Sequence, residues 1–142
     1  MKRELRFEMI YPDPPQAVWH ALTDPAALAG WLMENDFIPM PGRQFHFRLK
    51  SRLGFERKIA CEVLEVEEPR LLSYTWGGPG SVVTFRLDAA EGGTRLRLEH
   101  TGFSGAHGFA FGWILSHGWK HKIGVRLPAV LAGPAVERRA NQ

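Results

Sequence analysis

Cysteine is almost absent: Cys61 is the only one in 142 residues. No internal disulfide can form, and nothing in the cysteine count points to an oxidising compartment. Long apolar runs are missing as well. Phe109–Leu115 and Ala129–Val136 are the longest. Both contain Gly or Pro and fall far short of the ~20 residues a membrane-spanning helix needs. The N-terminus alternates charged and apolar residues and lacks the apolar stretch of a signal peptide. A soluble, cytoplasmic protein with no membrane span is expected. Charge of one sign is not in large excess either. The net charge of +3 is mildly basic and is not by itself the signature of a nucleic-acid binder. No internal repeat, low-complexity tract or linker divides the chain. Gly77-Gly78-Pro79-Gly80 lacks the strand-to-helix setting and the Lys of a phosphate loop and reads as a turn. No Ser-His-Asp set, carboxylate pair or cofactor fingerprint stands out, so no cofactor is expected.

What the chain does have is a globular composition and many aromatics. Apolar residues make up 44% and charged residues 23%, which excludes disorder. Residues 1–142 suit one domain, long enough to bury roughly two-thirds of its unfolded surface. Nine Phe, five Trp and two Tyr are the composition's one strong bias.

Periodicity places the elements. Residues 5–11 mostly alternate, as a half-buried strand does. Asp13-Pro14-Pro15 reads as the cap and first turn of a short helix, and Asp24-Pro25 opens a second through Leu32. Leu28, Trp31 and Leu32 then share one buried face. After residue 35 the period becomes two. Phe45, Phe47 and Leu49 alternate with polar residues, and Gly54 marks a hairpin turn. The run 56–67 slips phase between Val63 and Leu64, the mark of a bulge. Strands at Leu72–Trp76, Val83–Leu87 and Leu96–His100 complete an antiparallel meander with one wet face. Residues 106–132 return to helical spacing through Trp113, Lys120, Ile123 and Leu127, and Pro128 should kink that helix. A curved sheet must cover its second face, and only this helix is long enough to do so. The fold class is α+β: about six antiparallel strands around a long C-terminal helix, with two short helices after the first strand.

Pro15-x-x-Val18-Trp19-x-Ala21-Leu22-Thr23-Asp24-Pro25, Leu28-x-x-Trp31, Pro41-Gly42-Arg43-x-Phe45-x-Phe47, Val66-Glu67-x-Pro69-x-Leu71-Leu72-x-Tyr74-Thr75-Trp76 and Thr94-x-Leu96-x-Leu98-x-His100-Thr101-Gly102-Phe103 follow in that order. With Gly118-Trp119 in the last helix, this pattern resembles the helix-grip fold of the START-like (SRPBCC) superfamily. More narrowly, it resembles the family of activator of Hsp90 ATPase homologue 1-like proteins. The resemblance implies a cavity between sheet and helix, commonly used for apolar or aromatic ligands. Members range from co-chaperone domains with an Hsp90-type partner to lipid binders and polyketide cyclases.

Candidate site residues follow from the alternation. Phe45, Phe47, Tyr74, Trp76, Phe85, Leu98 and His100 would share the concave face, with Trp113 and Trp119 on the covering element. Such a lining suits a small hydrophobic or aromatic ligand, lipid or polyketide-like, with Tyr74 and His100 as its main polar groups. Those two side chains read three ways: satisfied core residues, groups that orient a ligand, or the acid and base of a cyclase- or hydrolase-like enzyme. Phe103, Phe109, Phe111, Trp113 and Trp119 surround Gly105, Gly108 and Gly112, and suit either a cavity gate or completion of the core. His117 and His121 are four apart, but no Glu lies between them and no third ligand is near, so no metal is expected. Arg48, Lys50, Arg52 and Arg57, with Lys58, concentrate positive charge on the hairpin, against Glu56 alone. This is compatible with an acidic protein partner of the co-chaperone type, with an anionic lipid surface, or with an ordinary solvated face. Nucleic acid is not the expected partner, because Phe45 and Phe47 alternate inward rather than out to stack on bases. An exposed sheet edge leaves a homodimer open.

Overall fold

The computed structural model describes residues 2–50, 53–104 and 118–140. Seven antiparallel strands form one open, curved sheet. They are β1 (Lys2–Tyr11), β2 (Glu34–Asn35), β3 (Gln44–Lys50), β4 (Glu56–Glu67), β5 (Leu71–Thr75), β6 (Val82–Ala90) and β7 (Gly93–Ser104). Their spatial order is β1-β7-β6-β5-β4-β3-β2. The meander therefore runs β2 to β7 between neighbours, and β1 closes onto β7. The strand beyond the six expected from periodicity is β2, whose two residues are too few to show a period.

Helices α1 (Pro15–Thr23) and α2 (Pro25–Trp31) follow β1. The cap of α2 is the expected one: the Asp24 carboxylate accepts from the Ala27 N–H at 3.0 Å, with Pro25 in the first turn. The cap of α1 is not. Pro14, at φ −68° and ψ 158°, takes the N-cap position in place of Asp13. A residue before proline is pushed out of the helical region, so the Pro14-Pro15 pair delays the helix by one residue. Asp13 instead offers its carbonyl to the Thr94 hydroxyl at 2.7 Å. Seven residues are too few for a helix to stand alone. Leu28 and Trp31 are fully buried, each contributing roughly 2 kcal/mol against about 1 for the cap. Packing therefore holds α2, helped by the Trp31 indole donating to the Ala21 carbonyl at 2.7 Å.

The expected phase slip in β4 is present, with the register against β5 shifting between Val63 and Glu65. A second bulge lies in β7. There Arg3 faces Phe103 and Glu4 faces Thr101, leaving Gly102 over. Gly102 has φ +92°, and a Cβ on it would stand 1.6 Å from the Gly80 carbonyl oxygen. Only glycine fits this position, where β7 passes directly over the turn that carries Ser81.

The C-terminal helix, α3, is described from residue 118 to Ala140. Its α-helical ladder widens to a π-helical stretch over Lys122–Arg126, where the Leu127 N–H reaches the Lys122 carbonyl. Pro128 follows at once. It has no N–H for an i→i−4 bond and its ring crowds the preceding turn, and the wide turn is the form in which the chain accommodates it. The buried face of α3 is Trp119, Ile123 and Leu127, and Lys120 is exposed. The Tyr11 hydroxyl ties the π stretch to β1 by donating to the Ile123 carbonyl at 2.6 Å.

Candidate ligand-binding site

The inward-facing residues of the sheet meet where alternation put them. Cross-strand pairs Phe45–Cys61, Tyr74–Val83, Leu72–Phe85 and Phe85–Leu98 lie on one face, and Val83 stands opposite His100. Of the nine lining residues expected, Phe45, Phe47, Tyr74, Trp76, Phe85, Leu98, His100 and Trp119 are all buried in one cluster. Trp113 lies outside the described residues, as do Phe109, Phe111 and His117. The rings pack edge-on or tilted: Phe45 to Tyr74 at 5.2 Å between centroids, Phe47 to Trp76 at 5.1 Å, and Trp76 to Trp119 at 5.5 Å. Trp119 also approaches Phe85 at 6.2 Å. It is the ring by which α3 closes on the sheet.

Two polar groups sit in this apolar cluster, in opposite situations. His100 is fully buried and bonded on both ring nitrogens. The Trp119 indole donates to Nδ1 at 3.1 Å, and Nε2 lies 2.8 Å from the Ser81 hydroxyl. An indole N–H can only donate, so Nδ1 is the acceptor and the ring proton is on Nε2, directed at Ser81. Burial lowers the His100 pKa to about 4, which keeps the ring neutral. Tyr74 is different. Its hydroxyl is buried without a hydrogen-bond partner, enclosed by Phe37, Phe45, Phe47 and Phe85 at centroid distances of 5.2–6.0 Å. Burial, with the nearby Cys61 adding to it, holds the phenol pKa well above its ordinary value. The group is a permanent O–H donor with nothing to donate to. The other such atom among the described residues, Ser73 Oγ, belongs to the opposite face of β5.

Neither polar group is set up for proton transfer. A neutral imidazole already bonded on both sides is poorly placed as a general base, and a phenol kept protonated is a poor proton acceptor. Cys61 is equally inert: burial pushes its thiol up to about 12, and its Sγ lies 3.6 Å from the Ile59 carbonyl. Among the described residues no group of His, Cys, Asp and Glu could hold a metal ion.

An open depression of about 340 Å³ touches this cluster only at Phe45 and Cys61. Gln44, His46, Ala60, Glu62, Thr75 and the turn at 77–79 contribute to it. By register these strand residues belong to the face turned away from α3. The basic hairpin residues do not form one surface. Arg48 stands opposite Lys58, whereas Arg57 stands opposite Leu49 on the other face. Arg52 and the Lys50 side chain lie outside the described residues.

Periodicity missed Phe37, which packs 4.9 Å from Phe45. Its only signal was an isolated aromatic in a segment without alternation. Tyr11 was placed in its strand, but its hydroxyl bond to α3 had no local signature.

The family model for activator of Hsp90 ATPase homolog 1-like proteins matches residues 13–132. None of the curated proteins matches the chain. Among solved structures, protein MLL2253 from Mesorhizobium loti is 36% identical, with a TM-score of 0.79, covering 91% of this chain and 96% of its own. Protein BH1534 from Bacillus halodurans is 30% identical, with a TM-score of 0.77 and the same two coverages. DynU16, a putative protein in the dynemicin biosynthetic locus, is 25% identical with a TM-score of 0.74, over 90% of this chain and 46% of that one. The chain is a member of the activator of Hsp90 ATPase homolog 1-like family, on the START-like helix-grip fold.

Proposed function

We propose that this protein binds a small hydrophobic or aromatic molecule, lipid or polyketide-like, between the sheet and α3, without transforming it. The observation that carries the proposal is the Tyr74 hydroxyl, fully buried among four aromatic rings with no partner. An unsatisfied buried polar group costs roughly 1–3 kcal/mol. A ligand that brings a carbonyl, ether or hydroxyl oxygen to this point recovers that cost, and its apolar body replaces ring-to-ring contacts with equivalent ones. The membership of a family whose fold often holds hydrophobic ligands supports the reading. So does the likeness to a protein from a biosynthetic locus.

The test is a panel of fatty acids, fatty alcohols, alkanes and polycyclic phenols and quinones, read by tryptophan fluorescence and by melting temperature. Trp76 and Trp119 line the site, so binding should change the emission. Oxygen-bearing members should bind, and Tyr74→Phe should weaken them roughly 3- to 10-fold, the loss of one net hydrogen bond. Alkanes should be indifferent to the substitution. If no member perturbs fluorescence or melting, or if alkanes bind as tightly as their oxygenated analogues, the proposal is wrong.

A further inference from the structure

The β3–β4 hairpin extends well past the core. Phe47 is the last fully buried residue of β3 and Cys61 the first of β4. Between them every described side chain is exposed except the half-buried Ile59. Residues 48–50 alone carry the strand about 10 Å beyond Phe47 at ~3.3 Å per residue. Leu53 is 84% exposed and Phe55 72%, the two most exposed large apolar residues among those described, and Leu49 is 49% exposed behind them. Isolated apolar residues on a surface need no explanation, but several on one projecting element do.

Cations are concentrated beside this tip. Arg48 and Lys58 stand directly opposite each other across the ladder, an arrangement that costs stability. Among the described residues, neither they nor Arg57 form an ion pair. Arg57 occupies the other face, beside Leu49. The hairpin thus presents an apolar tip with cations on both of its faces, against Glu56 within it and Glu34 beside Arg48 on β2.

We propose that this hairpin is a peripheral membrane contact, in which Leu53 and Phe55 enter the interfacial layer of an anionic bilayer while Arg48, Arg57 and Lys58 meet lipid phosphates. The reach of the hairpin matches the roughly 5–10 Å to which interfacial apolar groups sink. Cations on both faces suit a plane of negative headgroups that surrounds the inserted tip on all sides. An acidic protein surface would explain the cations but would leave the most exposed apolar side chains without a role. This inference stands independently of what the aromatic site holds.

Co-sedimentation with phosphatidylcholine vesicles, with and without about one-third phosphatidylglycerol, tests it. The protein should pellet with the anionic vesicles, hardly at all with the neutral ones, and be released by about 0.5 M salt. Leu53→Ser with Phe55→Ser should lower the partition coefficient roughly tenfold or more, as should Arg48→Gln with Arg57→Gln and Lys58→Gln. All five positions are exposed, so melting temperatures should stay within a degree or two of the parent. Failure to pellet with anionic vesicles overturns the proposal. So does pelleting that the two serines leave unchanged, because charge alone would then be responsible, as for an acidic protein partner.

Discussion

Tyr74→Phe should make the ligand-free protein more stable, the reverse of what most core substitutions do. The phenol is fully buried, and its oxygen has no partner. Removing the oxygen relieves a desolvation cost of roughly 1–3 kcal/mol. It also leaves a hole of about 10–15 Å³, which at ~24 cal/mol per Å³ costs only about 0.3 kcal/mol. The four enclosing rings remain in contact with the Phe that replaces it. The net gain is therefore roughly 1–2 kcal/mol, or about 3–8 °C in melting temperature for a domain of this size. Urea denaturation checks the same quantity. The midpoint should rise while the slope, which reports exposed area, stays the same. A loss of 1 kcal/mol or more would refute the reasoning, because it would mean that the hydroxyl is satisfied in solution, for instance by a trapped water.

Two further outcomes follow from the same cluster. His100, with a pKa of about 4 in the folded protein against ~6.5 unfolded, binds fewer protons folded than unfolded between those values. Stability should therefore fall as pH drops from 6.5 towards 4, by up to roughly 3 kcal/mol. Melting temperatures across that range should show the slope, and His100→Gln should flatten it. Gly102→Ala forces a Cβ against the Gly80 carbonyl at a positive φ. It should cost roughly 2–4 kcal/mol by denaturation and loosen the Ser81–His100 bond; a neutral effect would mean that the bulge in β7 is misplaced.

How much of this was legible in the sequence depends on the length scale of each signal. Phe45, Phe47, Tyr74 and Phe85 announce one sheet face because strand alternation is local and strict. The bulge after Val63 shows as a broken phase for the same reason. Asp13 has the propensity of a cap but does not occupy the cap position, which Pro14 takes. What excludes it is the steric effect of Pro15 on Pro14. Helical spacing alone does not say which side of the last helix is buried: Lys120 fits the spacing and is exposed, whereas Trp119 beside it is buried. Steps of four from Trp119 to Ile123 to Leu127 suit the π stretch that Pro128 brings with it. The two-residue β2 and Phe37 had no period to betray them.

Which polar group in the site is free to receive a ligand was not legible at all, because it turns on partners distant in the chain. Tyr74 and His100 look equivalent in sequence: each is a polar residue at an inward position. The fold separates them. Ser81 arrives at His100 because the 76–81 turn closes through the Trp76 N–H to the Ser81 carbonyl at 2.8 Å, and Gly102 lets β7 pass close over that turn. Trp119 arrives from α3, whose register the Tyr11 hydroxyl pins at Ile123. Three separate devices thus converge to satisfy His100, and none reaches Tyr74. A ligand oxygen directed at His100 would have to break a Trp119 or Ser81 bond to gain one, a near-zero exchange. The same oxygen at Tyr74 gains a bond and breaks none. The polar end of a ligand should therefore settle on the Phe37–Phe45–Phe47 side of the cluster, with its apolar body pointing towards Trp76 and Trp119. Ligand-induced quenching should then survive Tyr74→Phe as a weaker-binding event rather than vanish.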